Sequence, residues 1–399
     1  MPRLPAFCPN EECSVHHGVE TRSKAFVRNG SHRTAAFGRV QRFRCRECGR
    51  SFSTQTMSID YYAKRRVCYR RLRRAVSECV SVRAVGRVLG ISPATADNRI
   101  MRAARAALWQ HAQLDAHVRL EEDVAADGFE SYWVSKYFPN NISIVAGSHS
   151  RYLYAFDAAT IRRKGAMSEA QVRRREQLER RWRADPAGVE KSFARLLESM
   201  IRLHAESSRV HLTLFTDEKY DYLRALSACG VIVHWRQHER FSHIRISSKA
   251  PRNKDNPLFP VNYFDREFRK DLHEHTRKTV CFARNANLQM ERMAIYAAEH
   301  NVAKPYLINQ PAAAHQTHAT IAGIPAEVVA SVRYGLYRRR AFYTRVSLPG
   351  WADRIWRREY DTPLKARPEY RPGYLTRGIP YPQTRQTVSD GGQHREVPR

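Results

Sequence analysis

The sequence predicts a multidomain α/β protein with four parts along the chain. Three observations support this fold class: paired cysteines near the N-terminus, two helical patterns joined by a tight turn, and a later series of strands that comes to alternate with helices. We place the parts at residues 1–55, 56–117, 118–305 and 306–399. A chain of 399 residues is long enough for several domains.

Charge is the strongest signal in the composition. The chain has 69 Lys and Arg residues against 39 Asp and Glu, a formal net charge of +30. Such an excess favours a polyanionic partner, and nucleic acid is the first candidate. No apolar run approaches the roughly 20 residues of a membrane span, and no signal-peptide pattern opens the chain. We therefore expect a cytoplasmic protein with no membrane partner.

Residues 1–55 predict a small module held together by a metal ion. Four of the eight cysteines form two close pairs: Cys8, Cys13, Cys45 and Cys48. In a chain without a signal sequence, paired cysteines indicate metal before disulfide. Four thiolates match a tetrahedral structural Zn²⁺ site, and the short strands between the pairs have too few apolar residues to fold alone. The alternatives are that His16 or His17 replaces one thiolate, or that the cysteines are small buried hydrophobes.

A basic segment follows this module. Residues 62–75 (YAKRRVCYRRLRRA) predict a helix that lies along DNA phosphates. Its alternative is a solvated charged face. The arginines expected on phosphates are Arg65, Arg66, Arg70 and Arg71.

Residues 81–108 predict a helix-turn-helix. One apolar helix face ends in a tight turn at 89–92, where Ser92 caps a second helix with Pro93 at its first position. We expect the exposed side of that second helix to present the base-contacting side chains Thr95, Asn98 and Arg99. The alternative is an αα-hairpin of a helical bundle. DNA is favoured because residues 1–117 contain 22 Lys and Arg against 8 Asp and Glu.

The part from 118 to 305 predicts a mixed sheet flanked by helices. In chain order we expect a strand at 124–129, a hairpin over 142–156, a charged helical insertion near 160–190, a helix at 192–203, a strand at 211–216, a helix at 219–228, a strand at 231–235, a loop over 238–260 and a basic helix from about 262. A meander followed by strands that alternate with helices fits a ribonuclease-H-like sheet.

The chemistry of this sheet is expected at the strand over 211–216. This strand runs directly into Asp217 at a strand-to-helix turn, where open α/β sheets place their functional groups. The alternative is that Asp217 only caps the following helix. A second acid, Asp127, lies on the first strand of the same part.

The chain beyond 306 carries weaker signals. A short helix is predicted at 325–337, and from 348 onward Pro, Arg and Tyr dominate while hydrophobic periodicity fades. We expect an irregular, basic and partly disordered C-terminal tail.

Three sequence motifs together resemble bacterial insertion-sequence transposases. They are FRCRECGRSFS in the cysteine module, VGRVLGISPATADNRI in the helix-turn-helix and KTVCFARN in the later domain. The resemblance covers roughly residues 5–305 and is closest to the groups whose zinc ribbon and helix-turn-helix precede a DDE catalytic domain. It implies a nucleoid-associated enzyme, oligomeric in its active complex, that binds the terminal repeats of its element and the target DNA. It further implies a ribonuclease-H-like core that cuts and joins strands with Mg²⁺ or Mn²⁺.

The family's acids are carried over residue by residue. The resemblance implies Asp127 as the first acid and Asp217 as the second, and the third is expected within PVNYFDREFRK. One group of these transposases has Asn-x-x-Glu there, which gives the roles to Asn262 and Asp265. An alignment anchored on residues 278–282 instead puts the family glutamate on Asn262 itself. This departure from a plain DDE pattern leaves the third ligand open.

Further residues remain alternatives in this region. Glu267 and Glu291 are fallback acids, and Arg269 or Lys270 could hold a phosphate oxygen or be solvated helix charges. The unconventional third acid also keeps two other functions open. One is a transposase-derived DNA-binding regulator without catalysis, and the other is a ribonuclease-H-like nuclease that cleaves without joining.

Overall fold

Thirteen α-helices and two β-sheets make up the part of the chain that the computed structural model describes, residues 4–18, 23–276, 281–307, 309 and 316–365. The mixed α/β fold class is therefore confirmed. Residues 1–364 form one compact unit, and of the second unit, 365–399, only Lys365 is described. Within these ranges, no helix has the length and apolar character needed to cross a membrane.

The N-terminal module is a three-stranded antiparallel sheet with a one-turn helix. Phe26, Phe43 and Phe52 are buried with three of the four cysteines and form its small core. Apolar burial is sparse here, as the sequence predicts. The elements are α1 (Ser14–His17), β1 (Phe26–Thr34), β2 (Gly38–Cys45) and β3 (Ser51–Ser53).

Three helices follow: α2 (Tyr69–Val76), α3 (Val82–Leu89) and α4 (Pro93–Asp115). The tight turn between α3 and α4 is confirmed. Gly90 adopts a φ of +64° that favours glycine, and the Ser92 hydroxyl accepts a hydrogen bond from the Thr95 N–H. The basic helix begins seven residues later than expected, at Tyr69, so Arg65 and Arg66 lie in the preceding loop.

The larger sheet has five strands in the order β6-β5-β4-β7-β8. The first three in sequence form an antiparallel meander, and β7 and β8 continue the sheet parallel to β4. The predicted hairpin is confirmed as β5 and β6. The strands are β4 (Val124–Tyr132), β5 (Pro139–Gly147), β6 (Leu153–Thr160), β7 (Leu212–Thr216) and β8 (Phe241–Arg245).

Helices cover this sheet, and one expected strand is wrong. Residues 231–235 belong to a helix, because Ile232 and Trp235 are buried at helical spacing while Val231 is 44% exposed. The strand lies later, at 241–245, within the expected loop. The helices are α5 (Glu169–Glu179), α6 (Gly188–Ala205), α7 (Tyr220–Ala228), α8 (Gly230–Gln237), α9 (Phe259–Asp271) and α10 (Ala286–Val302).

The C-terminal part contains α11 (His318–Ile321), α12 (Ala326–Gly335) and α13 (Gly350–Arg357). The expectation of an irregular tail from 348 is wrong for α13, because Trp351 and Trp356 are buried in the core. Arg354 of α13 reaches the buried Asp157 on β6 at 3.0 Å. The remainder of the expected tail, 366–399, lies outside the described residues.

The C-terminal part also contacts the N-terminal module and the segment that directly follows it. The Ile59 N–H donates to the Arg338 carbonyl and the Arg340 N–H to the Met57 carbonyl. The rings of Phe7 and Phe342 meet edge to face at 5.2 Å. Residues 338–345 therefore link the first and last parts of the compact unit.

Candidate metal centre and acidic site

The four cysteine sulfurs form one close cluster. Sγ of Cys8 lies 3.6 Å from Sγ of Cys48, Sγ of Cys13 lies 3.9 Å from Sγ of Cys45, and all four lie within 4.8 Å of one another. Around a tetrahedral zinc ion with Zn–S bonds of about 2.3 Å, neighbouring sulfurs are about 3.8 Å apart. The cluster therefore fits a tetrahedral thiolate site and could bind a metal ion such as zinc.

Backbone hydrogen bonds shape both cysteine turns. Gly49, with a φ of +70°, donates its N–H to the Cys45 carbonyl at 3.0 Å. Asn10 donates its N–H to Sγ of Cys8 at 3.5 Å. Burial opposes ionisation of Cys48, but hydrogen bonds from the Arg50 backbone and neighbouring groups outweigh it and lower the pKa of its thiol to about 7. Both turns therefore direct donors at sulfur.

Neither histidine belongs to the cluster. The ring nitrogens of buried His16 contact the Cys8 carbonyl and Oγ1 of Thr344, each at 2.7 Å. Nε2 of His17 contacts the Glu11 carbonyl at 2.7 Å. The alternative in which His16 or His17 replaces a thiolate is wrong, since the four ligand atoms that come together are all cysteine sulfurs.

The predicted DNA-facing residues separate into two groups. Thr95 and Asn98 are half-buried near the start of α4, and the four arginines of the basic segment, Arg65, Arg66, Arg70 and Arg71, are exposed. Arg99 is only 3% exposed, so its predicted position on the outer face is wrong. Its guanidinium points inward, toward the loop that precedes α2.

Asp127 and Asp217 lie at one level of two neighbouring strands. Ala126 on β4 pairs in parallel with Thr216 on β7, and each acid is the next residue along its strand. Both side chains are partly exposed, at 26% for Asp127 and 24% for Asp217. The two acids, 90 residues apart in sequence, therefore meet at one point of the sheet.

The two carboxylates differ in their hydrogen bonds. Oδ1 of Asp127 accepts the Gly128 N–H at 2.6 Å. Oδ1 of Asp217 accepts the Lys219 N–H at 3.0 Å, which closes a turn. Lys219, not Asp217, is the N-cap residue of α7. The interpretation of Asp217 as the helix cap is therefore wrong.

Burial and, after it, like charges raise the pKa of Asp127. Burial makes the largest contribution and the Asp217 carboxylate the next, while Lys219 opposes them and Asp265 adds to them, so that the pKa of Asp127 is about 7. Asp265 lies on α9, which packs against β4. The charges of Asp217 and Asp265 therefore both act on Asp127. Among the described residues, only the cysteines bring three or more ligand atoms within 4.8 Å, so the carboxylates are more widely spaced.

Asn262 lies three residues before Asp265 on α9, and both are half-buried. Side chains at this spacing project from one face of a helix. The Asn-x-x-Asp pair therefore adjoins the acidic site as a unit. The competing alignment is anchored on 278–282, of which residues 278–280 lie outside the described residues.

The fallback residues have other partners. Glu267 is buried beside Lys304 and 3.0 Å from Lys270, and buried Glu291 lies 3.4 Å from Arg358. These ion pairs compensate the two buried carboxylates in the packing of α9 and α10. They act as structural acids in this arrangement.

The proposed phosphate ligands are likewise engaged. The Arg269 guanidinium lies over the Phe129 ring at 4.7 Å and donates to the His275 carbonyl at 3.4 Å. Lys270, next along the helix, also lies 3.6 Å from Asp271.

Two residues at the acidic site were missed in the sequence. Nζ of Lys219 lies 4.0 Å from Oδ1 of Asp127 and 4.0 Å from Oδ2 of Asp217. A lysine two residues after a strand-ending acid is the signal that could have found it. At Gly128, an added Cβ would lie 2.0 Å from Nδ2 of buried Asn141, so this neighbour of Asp127 must be small.

Comparison with protein-family models gives no match, and neither does comparison with curated proteins.

Proposed function

We propose that this chain is a DNA transposase of the DDE type, which binds the ends of an insertion element and cleaves and joins DNA strands. The observation that carries this proposal is the meeting of Asp127 and Asp217 on neighbouring strands, with the charge of Asp265 acting on the same point. An antiparallel meander continued by two parallel strands also supports a ribonuclease-H-like core. Clustered acids with a strongly raised pKa are typical of functional sites.

The donor set suits hard divalent cations. Mg²⁺ and Mn²⁺ prefer oxygen ligands, and a site with several like charges gains most from a bound cation. Asp127, Asp217 and Asp265 would hold the ions, with Asn262 able to add a neutral amide oxygen. When bound, such ions activate the attacking oxygen of phosphoryl transfer and stabilise the leaving one. Gly128 and the turn at Lys219 fix the direction of the two strand acids.

The N-terminal half supports the DNA-binding part of the proposal. The capped turn between α3 and α4 suits a helix-turn-helix, whose second helix can enter the major groove. Thr95 and Asn98 lie in the first turns of α4, and the exposed arginines of the basic segment can lie on phosphates. The cysteine cluster would hold a structural Zn²⁺ that orders residues 5–55.

A DNA-binding regulator without catalysis is the second candidate. Lys219 favours it, because an ammonium group 4.0 Å from both strand acids already compensates part of their charge. The neutral Asn262 favours it too, since an amide adds no charge to hold a metal ion. The two candidates predict the same binding to DNA and opposite outcomes for strand chemistry.

A strand-cleavage and strand-transfer assay separates these functions. Full-length protein is incubated with duplexes that carry the DNA flanking its own coding region, with Mg²⁺ or Mn²⁺, and Asp217→Asn serves as the matched inactive control. We expect cleaved and joined products from wild type only. Cleavage without joining would favour the nuclease. Specific binding with no metal-dependent cleavage would overturn the transposase proposal and leave the regulator.

A further inference from the structure

The charged insertion, residues 161–187 between β6 and α6, is a preformed element that contains the helix α5. Its helix α5 carries its own capping box, formed by Ser168 and Gln171. Leu178 is 6% exposed, and the Trp182 ring meets the Phe138 ring edge to face at 5.6 Å. The insertion is therefore docked on the loop between β4 and β5 and does not depend on a partner for its shape.

A second contact fixes the first residues of the insertion. The Arg163 guanidinium lies over the Tyr137 ring at 4.7 Å, in the same β4–β5 loop. The Arg175 guanidinium donates to the Arg163 carbonyl at 3.4 Å and so ties α5 to this arm. Arg163 and Arg175 therefore have structural roles within the insertion.

The insertion has more cations than its own acids can pair. Residues 162–183 contain nine Lys and Arg against three Glu. Glu179 pairs with Arg162 at 2.8 Å and Glu169 with Arg173 at 3.6 Å. Within the described ranges, an exposed set of the insertion has neither a carboxylate at salt-bridge distance nor a side-chain hydrogen bond: Lys164, Arg180 and Arg181. This set is called the basic rim below.

The insertion that carries the basic rim starts at the end of the sheet where β7 runs into Asp217. β4 and β6 both run toward this end, since each is antiparallel to β5. Asp127 is level with Ile144 of β5, and Thr160, where the insertion starts, is level with Asn140, four residues along that strand. At about 3.3 Å per residue and about 4.8 Å between strands, Thr160 is about 13 Å along and 10 Å across from Asp127. A duplex positioned at the acids covers such a distance in about five base pairs.

We propose that the basic rim binds the phosphate backbone of the duplex on which the acidic site acts, a few base pairs from the reacting phosphate. This inference rests on the proposed function, because the acids define where that duplex lies. Neutralised phosphates release counterions, so the rim supplies affinity that does not depend on base sequence. The helix-turn-helix and the rim then hold different segments of DNA.

The test compares two charge-matched variants of the full-length protein. Arg180→Gln/Arg181→Gln removes two charges from the rim. Arg119→Gln/Arg240→Gln removes two exposed charges next to the starts of β4 and β8, at the opposite end of the sheet. Binding to a random-sequence 40-base-pair duplex is followed by fluorescence anisotropy over a range of salt concentrations. We expect the rim variant to bind several-fold more weakly and to reduce the slope of log K against log salt by about 1.8, and the control to keep the wild-type slope.

Position-specific crosslinking provides the second readout. A photoreactive benzophenone side chain at position 181 is expected to crosslink to the duplex, and one at 240 is not. An unchanged slope for the rim variant, or no crosslink from 181, would overturn the inference, and an equal loss in both variants would do the same. Failure of the proposed function is seen separately: the benzophenone variant crosslinks to DNA from position 181, while the wild type cleaves no DNA with Mg²⁺ or Mn²⁺.

Discussion

Arg99 donates a hydrogen bond from Nη2 to the backbone carbonyl of Arg65 at 3.1 Å. This bond joins the second helix of the helix-turn-helix to the basic loop before α2. The Arg99 guanidinium also lies 3.8 Å from the Asp60 carboxylate, whose pKa burial raises. Arg99 therefore holds α4 against this loop, and under the proposed function the reading of bases would fall to its neighbours Thr95 and Asn98.

The first prediction separates these roles. Arg99→Ala should lower the free energy of unfolding by about 1–3 kcal/mol, because it leaves buried polar groups without a partner. Asn98→Ala should leave stability unchanged, relax sequence preference and cost about 1–3 kcal/mol in specific binding. Urea unfolding and binding to specific and random duplexes measure both. An Arg99→Ala protein of wild-type stability with relaxed specificity would contradict the structural role.

The second prediction concerns the metal of the cysteine cluster. We expect one tightly bound Zn²⁺ per chain, and Cys45→Ser should release it, unfold residues 5–55 and weaken DNA binding. The five-stranded sheet should remain folded, because it has its own apolar core. Elemental analysis and circular dichroism check these outcomes. Cys68→Ser is the matched control, since Cys68 is exposed and outside the cluster. Purified wild type without zinc would refute the metal assignment.

The third prediction is a pH dependence of stability. Burial, with the nearby Arg236 and Arg245, lowers the pKa of His243 from 6.5 to about 4. Between pH 6.5 and pH 4, His243 of the unfolded chain takes up a proton that His243 of the folded chain does not. The contribution of His243 to the free energy of unfolding is therefore full above about pH 6.5 and is lost as the pH falls toward 4. His243→Gln should weaken this loss, measured as the change in urea midpoint between pH 7 and pH 5. The exposed His238→Gln serves as control, and an equal effect of both variants would argue against the assignment.

Much of the acidic site could be predicted because strand endings are local signals. The apolar run before Asp217 and the short strand with Asp127 identify both acids, and the parallel pairing of Ala126 with Thr216 then brings them together. Lys219 was not predicted, because its contact with Asp127 depends on the pairing of strands far apart in sequence. Helix pattern alone did not indicate the burial of Arg99, which comes from the loop that folds back over α4.

Physical reasons also explain why two parts of the fold were predicted incorrectly. Residues 231–235 combine three β-branched residues in a row, a strand preference that tertiary packing overrode in favour of a helix. The C-terminal helix α13 lacks a long periodic pattern, yet its two tryptophans fill the core and Arg354 compensates buried Asp157. The ion pair of Arg354 with Asp157 joins residues far apart in sequence, so the local sequence does not indicate it.

The last prediction concerns catalysis. Asp127→Asn and Asp217→Asn each remove a charged ligand while keeping its shape, so metal-dependent strand cleavage should fall by about a hundredfold or more. DNA binding by the N-terminal parts should persist, because they do not use these acids. Asp221→Asn is the matched control, since this acid lies in the first turn of α7 and pairs with Arg224 at 2.6 Å. The comparison is made on one duplex with Mg²⁺ and again with Mn²⁺.

The same cleavage assay distinguishes Asp265 from Asn262 as the third ligand of the metal ions. Asp265→Ala should abolish cleavage as strongly as Asp217→Asn if its carboxylate holds a metal ion, because its charge already acts on Asp127. Asn262→Ala should then have a smaller effect, since it removes only a neutral oxygen. The reverse order would assign the ligand to Asn262. Binding of Mn²⁺, followed by electron paramagnetic resonance, should fall in parallel with cleavage. Wild-type cleavage by both Asp127→Asn and Asp217→Asn would show that the acids only shape the sheet edge.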